Sequence, residues 1–294
     1  MAPISARAVW WLAIRPATLT ASAAPVLVGT GVAWGEGRFA AGPALAALIG
    51  ASLLQVGANF ANDVFDFERS ADNADRLGPP RATHQGWVSP AQMKRAMWGA
   101  FACAALVGLY LTSVAGWPVL LLGLLSIAAA YLYTGGPRPY GYVGFGDLAV
   151  FLFFGPAAVV GTSYVQSLTV SPRAWLASIP IGALATAILV VNNLRDIETD
   201  ARAGKNTLAV RLGDRATRRY YLLLLAIAYA IPLLLWGSGL SEAWVLLSWL
   251  SLPLALPVAR AIRTEHGLPL NGCLVRTARL EVVFGVLFAL GLAL

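Results

Sequence analysis

Apolar residues run along this chain in long blocks that are almost free of charge, each closed by a short polar break. A helix that crosses a bilayer needs about 20 mostly apolar residues. Scanning at that length predicts nine helices, over residues 10–34, 42–62, 91–113, 118–134, 146–166, 173–194, 218–237, 243–261 and 274–294. The fourth is short. The sixth contains Pro180, which a membrane helix accommodates because neighbouring groups satisfy the carbonyl it frees. The pattern predicts an all-α polytopic membrane protein, with residues 1–294 forming one integral-membrane domain.

Composition agrees. Of the 294 residues 58% are hydrophobic and mean hydropathy is +0.69, while only 12% are charged, about half the share of an average soluble domain. The first block begins with aromatics and has no clear cleavage site, so it reads as a membrane span and not a removable signal peptide. Charge then orients the bundle. With the N-terminus in the cytoplasm and nine crossings, all of the 21 Lys and Arg residues except Arg38 and Arg173 fall on the cytoplasmic side, as positive residues favour. One span more or fewer scrambles that split. The net charge of +7 follows from the same bias and makes anionic lipid headgroups the default partners; no nucleic acid is needed to explain it. Cys103, Cys273, His84 and His266 form no metal-ligand spacing.

Two cytoplasmic loops are long, 63–90 and 197–217, and long loops on a rigid scaffold commonly carry binding groups. Each follows a polar motif. At the end of the sixth block, Asn192, Asp196 and Asp200 recur every four residues and are expected on one helix face. Like charges at that spacing repel, which calls for a cation. At the end of the second block, Asn62, Asp66 and Ser70 repeat the spacing 130 residues earlier. The recurrence suggests a duplication, helices one to four and five to eight, with the ninth helix extra. Internal repeats with a site at their interface are common in membrane proteins.

Oxygen-only ligands suit hard cations, magnesium above all, which keeps waters and typically binds a few carboxylates plus phosphate oxygens of a substrate. The substrate this implies is a diphosphate with an apolar tail. Arg76, Arg81 and Arg138, with Lys205 and Arg211, lie close by in sequence and suit phosphate contact. Any one of them taken alone is more simply a topology determinant. The motifs are harder to dismiss, because ionisable groups beside apolar helices are costly and are functional candidates by default. A third feature, YTGGPRPYGYVGFGD at 133–147, must turn at its Gly-Gly-Pro. Tyr131, Tyr133, Tyr140 and Tyr142 there suit an interfacial belt or a cavity wall that steadies a carbocation.

Two Asp-rich motifs closing the second and sixth of nine helices resemble the UbiA superfamily of intramembrane prenyltransferases. The resemblance covers the whole chain. RPATLTASAAPVLVG (15–29), NFANDVFDFERSADNADRLGPPRA (59–82), the glycine-rich segment and NNLRDIETDARAGKNTLAVRLG (192–213) are similar to its 1,4-dihydroxy-2-naphthoate polyprenyltransferase branch. One departure is Ser70, which stands where the superfamily commonly has a last Asp; Asp72 is the alternative. The resemblance implies a bacterial plasma-membrane enzyme of menaquinone biosynthesis with its site facing the cytoplasm. Its substrates are polyprenyl diphosphate and 1,4-dihydroxy-2-naphthoate, and prenylation is coupled to loss of the carboxylate. Mg2+ is held by Asn62, Asp63, Asp66, Asn192, Asp196 and Asp200, of which Asp66, Asp196 and Asp200 are the catalytic carboxylates. Lys205, Arg138, Arg81 and Arg76 bind the diphosphate. Arg15, Asn59, Asp72 and Tyr133 are candidate contacts to the organic substrates.

Two other readings stand beside it. Another aromatic acid, of the 4-hydroxybenzoate or homogentisate type, could be the acceptor. A cation-coupled transporter could use the acidic motifs, but it should also place ionisable groups near the bilayer midplane.

Overall fold

The computed structural model describes residues 5–69 and 77–294; Ser70, Asp72 and Arg76 lie outside the described residues. Among those described, every regular element is helical. The order is α1 (Ala6–Ile14), α2 (Pro16–Gly35), α3 (Ala41–Glu68), α4 (Pro90–Ala115), α5 (Trp117–Leu132), α6 (Gly146–Leu152), α7 (Gly161–Ser167), α8 (Pro172–Arg195), α9 (Ile197–Arg202), α10 (Leu208–Gly237), α11 (Leu252–Thr264) and α12 (Leu270–Ala293). A π-helical stretch, Phe153–Val160, joins α6 to α7, and a 3-10 stretch, Ala243–Ser251, leads into α11.

All nine expected blocks are helical, but they are not nine equivalent spans. By length and composition six helices can cross a bilayer, seven if α1 and α2, bent by 48°, count as one. The α5 helix has 16 residues, a rise of about 24 Å against a hydrocarbon core of about 30 Å. The α12 helix carries Arg276, Arg279 and Glu281. The helix expected from residue 218 begins ten residues earlier, at Leu208, where the Thr207 side chain caps it by accepting from the Val210 amide at 3.3 Å. Gly213, at φ 74°, bends this polar first part away from the apolar remainder.

The α8 helix is the axis of the bundle. In its most apolar stretch 72% of residues are buried, against 22–33% in the other five long apolar helices. Small residues allow this, because they let backbones approach closely. A Cβ on Gly182 would sit 2.8 Å from the Phe151 carbonyl oxygen, and one on Gly155 2.9 Å from that of Ser178. The larger core joins α2, α8, α10, α11 and α12; a second joins α1, α3, residues 82–88 and α4. Leucines and tryptophans such as Trp117, Leu106 and Leu250 point outward, as a lipid solvent requires.

The break between α1 and α2 falls at Arg15, at φ 55°. Pro16 follows, and a residue before proline is disfavoured in the right-handed helical region, so the chain turns there and restarts with Pro16 in the first turn of α2.

Candidate functional site

A cavity of about 1180 Å³ opens between the two cores. At one end α3 and α8 bring their polar ends together, although their motifs lie far apart in sequence. Asn59, Asn62 and Asp66 line this end from α3, and Asn192, Asp196 and Asp200 line it from the close of α8 and from α9. The second motif is not one continuous helix. Asp196 leaves helical geometry at φ −102°, ψ 10°. The i to i−4 bonds nevertheless persist across it, from the Asp196 amide to Asn192 O at 3.2 Å and from the Asp200 amide to Asp196 O at 2.7 Å. The three side chains therefore still face one space.

Asp66 is the meeting point. Arg81 Nη2 lies 2.5 Å and Lys205 Nζ 3.4 Å from its carboxylate, which is 3% exposed. The Tyr142 hydroxyl also donates to it, and burial, reinforced by that carboxylate, pushes the Tyr142 hydroxyl well above its usual range. Lys205 sits 4.7 Å from the Tyr142 ring centroid, and Tyr142 O accepts from the Asn206 amide at 2.7 Å. The residue after Lys205 is thereby stitched to the glycine-rich segment. Asp196 has its own cation, Arg195, at 2.5 Å. Asp200 is half-buried, and that partial burial raises its carboxyl from 3.8 to about 7; Lys205 opposes the rise, and the Asp196 and Asp66 charges add to it.

Several other expected residues reach the cavity. Arg15, Asn59, Arg81, Tyr133 and Lys205 all line it. Asn59 donates to Ile14 O and to Thr18 Oγ1, each at 2.8 Å, pinning the α1–α2 break from which Arg15 projects. Three of the described candidates for metal or phosphate are not brought there; one is Arg211, which instead donates to Val143 O at 2.8 Å. Asp63 is buried with its carboxylate turned to the loop beyond α3, where it accepts from the amides of Ala82 and Thr83, both at 3.0 Å. A step of one residue rotates a helix by about 100°, enough to carry Asp63 off the face shared by Asn62 and Asp66. Arg138 is exposed on the glycine-rich turn and does not line the cavity.

Other residues of the site have no such role in the sequence pattern. Tyr142 is expected only as one of four tyrosines suited to a belt or a cavity wall. Arg195 reads as one more cytoplasmic positive charge, yet its side chain is 1% exposed and lines the site. Asn271, in the first turn of α12, carries no pattern at all. Only the polar character of that turn, ahead of an apolar run, could have drawn attention to it.

Away from its polar end the cavity is apolar, walled by residues such as Val119, Phe153, Phe154 and Val165. Leu109, Leu120 and Leu124 line it and are also 40–58% exposed, so the wall between α4 and α5 is open toward lipid. An acidic and basic head joined to a long greasy channel suits an amphiphile with an anionic end.

The donors match magnesium in kind. Among the described residues, those lining the cavity's polar end offer carboxylate and amide oxygens and no sulfur or imidazole. No three His, Cys, Asp or Glu side chains among the described residues lie close enough together to form a metal cage by themselves. The half-buried Asp200, its carboxyl pushed up to about 7, is a carboxylate that a divalent cation would relieve.

An all-helical membrane bundle with two acidic motifs at one end of an amphiphile-shaped cavity defines an intramembrane transferase of polar-headed, apolar-tailed substrates. The chain belongs to the UbiA prenyltransferase family, whose model matches residues 22–267. It is 41% identical to 1,4-dihydroxy-2-naphthoate octaprenyltransferase of Escherichia coli over 99% of this chain and 97% of that one. It is 44% identical to the Mycobacterium tuberculosis protein of the same name, over 88% and 87%. Among solved structures, a UbiA homologue from Aeropyrum pernix superposes with a TM-score of 0.72 at 17% identity, covering 90% of this chain and 95% of that one. One from Archaeoglobus fulgidus bound to GPP and Mg2+ superposes at 0.69 and 16%, covering 94% and 97%. These likenesses establish the fold.

Proposed function

We propose that this chain transfers a polyprenyl group from polyprenyl diphosphate to 1,4-dihydroxy-2-naphthoate, with loss of the carboxylate, giving demethylmenaquinol, the reduced form of demethylmenaquinone. The observation that carries the reading is the convergence of Asp66, Asp196, Asp200, Arg81 and Lys205 on the polar end of an apolar channel. The relatives' names supply the acceptor. The site lies at the cytoplasmic face of a bacterial plasma membrane, where a water-soluble aromatic acid can reach it.

Asp66, Asp196 and Asp200, with the amide oxygens of Asn62 and Asn192, hold Mg2+; Asp63 is committed to backbone and is left out. When bound, the ion neutralises charge on the departing diphosphate. Arg81 and Lys205, now paired with Asp66, turn to the phosphate oxygens as donors. The allylic C–O bond breaks with its electron pair going to diphosphate, in a site where fixed charges favour that outcome. Tyr133 and Tyr140 offer aromatic faces to the resulting cation. A π pair of the electron-rich ring makes the new C–C bond at the carbon that bears the carboxylate, and cleavage of the bond to the carboxylate returns its pair to the ring as carbon dioxide leaves. Arg15, which lines the cavity at its pinned break, would contact the acid's carboxylate, and the α4–α5 opening would let a long tail extend into lipid.

The test is a membrane assay with labelled prenyl diphosphate and a panel of aromatic acids, with products identified by mass. Turnover of 1,4-dihydroxy-2-naphthoate, abolished by EDTA and restored by Mg2+, is expected. Preference for 4-hydroxybenzoate or homogentisate would replace the acceptor, and full activity after chelation would remove the metal.

A further inference from the structure

The ninth helix contributes a residue that joins both halves of the clamp. Asn271, in the first turn of α12, lines the cavity. Its Nδ2 donates to Leu77 O at 3.0 Å and its Oδ1 accepts from Arg195 Nη1 at 2.6 Å. The orientation of this amide is not arbitrary. A backbone carbonyl can only accept and a guanidinium can only donate, so each end of the side chain has one permissible partner.

Each contact leads to a different motif. Arg195 donates through Nε to Asp196 Oδ1 at 2.8 Å and through Nη2 to Asn192 Oδ1 at 2.9 Å. Holding Arg195 therefore holds two members of the second motif. Leu77 precedes Arg81 by four residues, through Gly78-Pro79-Pro80, and two consecutive prolines with fixed φ transmit position along so short a path. Arg81 lies 2.5 Å from Asp66. Holding Leu77 therefore holds the cation on the first motif.

We propose that Asn271 is a positioning residue that sets the separation of the two acidic motifs, acting through Arg195 on Asp196 and through the 77–81 segment on Arg81 and Asp66. The side chain has the one composition that serves both arms. Alanine leaves the Leu77 carbonyl and Arg195 Nη1 without this partner. Aspartate keeps an acceptor for Arg195 but presents an anion to the Leu77 carbonyl, and it competes with Asp196 for the guanidinium. The α12 helix, the one without a counterpart in the duplicated pattern, thus acts as a cross-brace between the halves.

The inference rests on the diphosphate-clamp reading, and the test separates the two. Purified full-length protein in detergent, wild type, Asn271→Ala and Asn271→Asp, is titrated with geranyl diphosphate in the presence of Mg2+. Backbone hydrogen exchange over residues 77–86 is followed without metal or ligand. Failure of the wild type to bind overturns the clamp, and exchange alone then decides the brace. Expected for Asn271→Ala are at least tenfold weaker binding of the Mg2+–diphosphate pair, an unchanged KM for the aromatic acid, and faster exchange over 77–86. Asn271→Asp should show the faster exchange too. A residue that merely stabilises α12 would lower Tm in both variants and leave exchange over 77–86 and the KM split untouched. That outcome, or wild-type binding and exchange in Asn271→Ala, overturns the proposal. If Asn271→Ala does not fold, exchange in Asn271→Asp decides it.

Discussion

Asp63 and Asp66 sit three residues apart in one motif and have different roles. Asp63 ties the buried amides of Ala82 and Thr83 to α3, while Asp66 gathers Arg81, Lys205 and Tyr142 at the cavity. Removing the first should cost stability, and removing the second should cost chemistry. Asp63→Ala deprives two amides of charge-assisted bonds worth about 1.5–3 kcal/mol each, and a lower Tm in detergent with partial turnover is expected. Asp66→Ala should abolish prenyl transfer in protein that still inserts, with some loss of Tm because buried Arg81 loses this carboxylate; turnover near wild type would end the clamp reading. The two roles were not separable in the sequence, where both read as motif carboxylates, because the loop that claims Asp63 lies 19 residues on and leaves no local trace. Asp200 gives a pH prediction. Its carboxyl, raised to about 7 chiefly by burial, holds a proton below that pH in the metal-free protein. A cation must displace that proton, so the Mg2+ activation constant should be flat above pH 7. Below it the constant should rise about tenfold per pH unit, as a ligand that must deprotonate dictates. A constant that does not vary between pH 6 and 8 would remove Asp200 from the ligand set.

At the scale of elements, apolar block length made nearly every helix legible, and the misreadings have physical causes. The polar first part of α10 was missed because a hydropathy scan sees only helices solvated by lipid, whereas residues 208–217 are held by the Thr207 cap and the bend at Gly213. The break at Asp196 was missed because i, i+4 spacing looks the same when the hydrogen bonds bridge a turn. Close packing of α8 rests on small residues, which a hydropathy scan does not tell from large ones. It now yields a paired prediction. Gly182→Ala places a Cβ 2.8 Å from the Phe151 carbonyl oxygen, an overpacking that costs about 1–3 kcal/mol. Gly99→Ala, within α4, meets nothing within 4 Å and should instead stabilise by about 0.5–1 kcal/mol through helix propensity. Thermal unfolding of both in detergent checks the signs. A neutral Gly182→Ala would mean that α8 and the end of α6 at Phe151 are free to move apart.

For the whole molecule, the site itself supports an expectation for the order of crossings. Asp66 at the end of α3 and Lys205 beyond the end of α8 lie 3.4 Å apart, so those two ends share one face, and an even number of crossings must separate them. The segments between are α4, α5, the α6–α7 column and α8, which is even only if the 16-residue α5 crosses. It does return to that face, because Thr134, just past its end, donates to Asn62 Oδ1 at 3.0 Å. A crossing that short is tolerable where the bilayer thins around it. The two outward-side cations of the charge pattern are consistent with this. Arg38 is exposed in the break between α2 and α3. Arg173 is held structurally, its Nη2 donating to Leu292 O at 2.5 Å near the end of α12 and its Nε to Ser241 Oγ at 2.9 Å. The expectation is therefore N-terminus in, with Arg38 and Arg202 on opposite sides of the membrane. With Cys103 and Cys273 replaced by serine, an Arg38→Cys variant should react with an impermeant maleimide added to intact cells. An Arg202→Cys variant should react only after permeabilisation. Labelling of both from one side would mean that α5 does not cross, and labelling with the sides exchanged would place the site at the outer face, away from soluble aromatic acid.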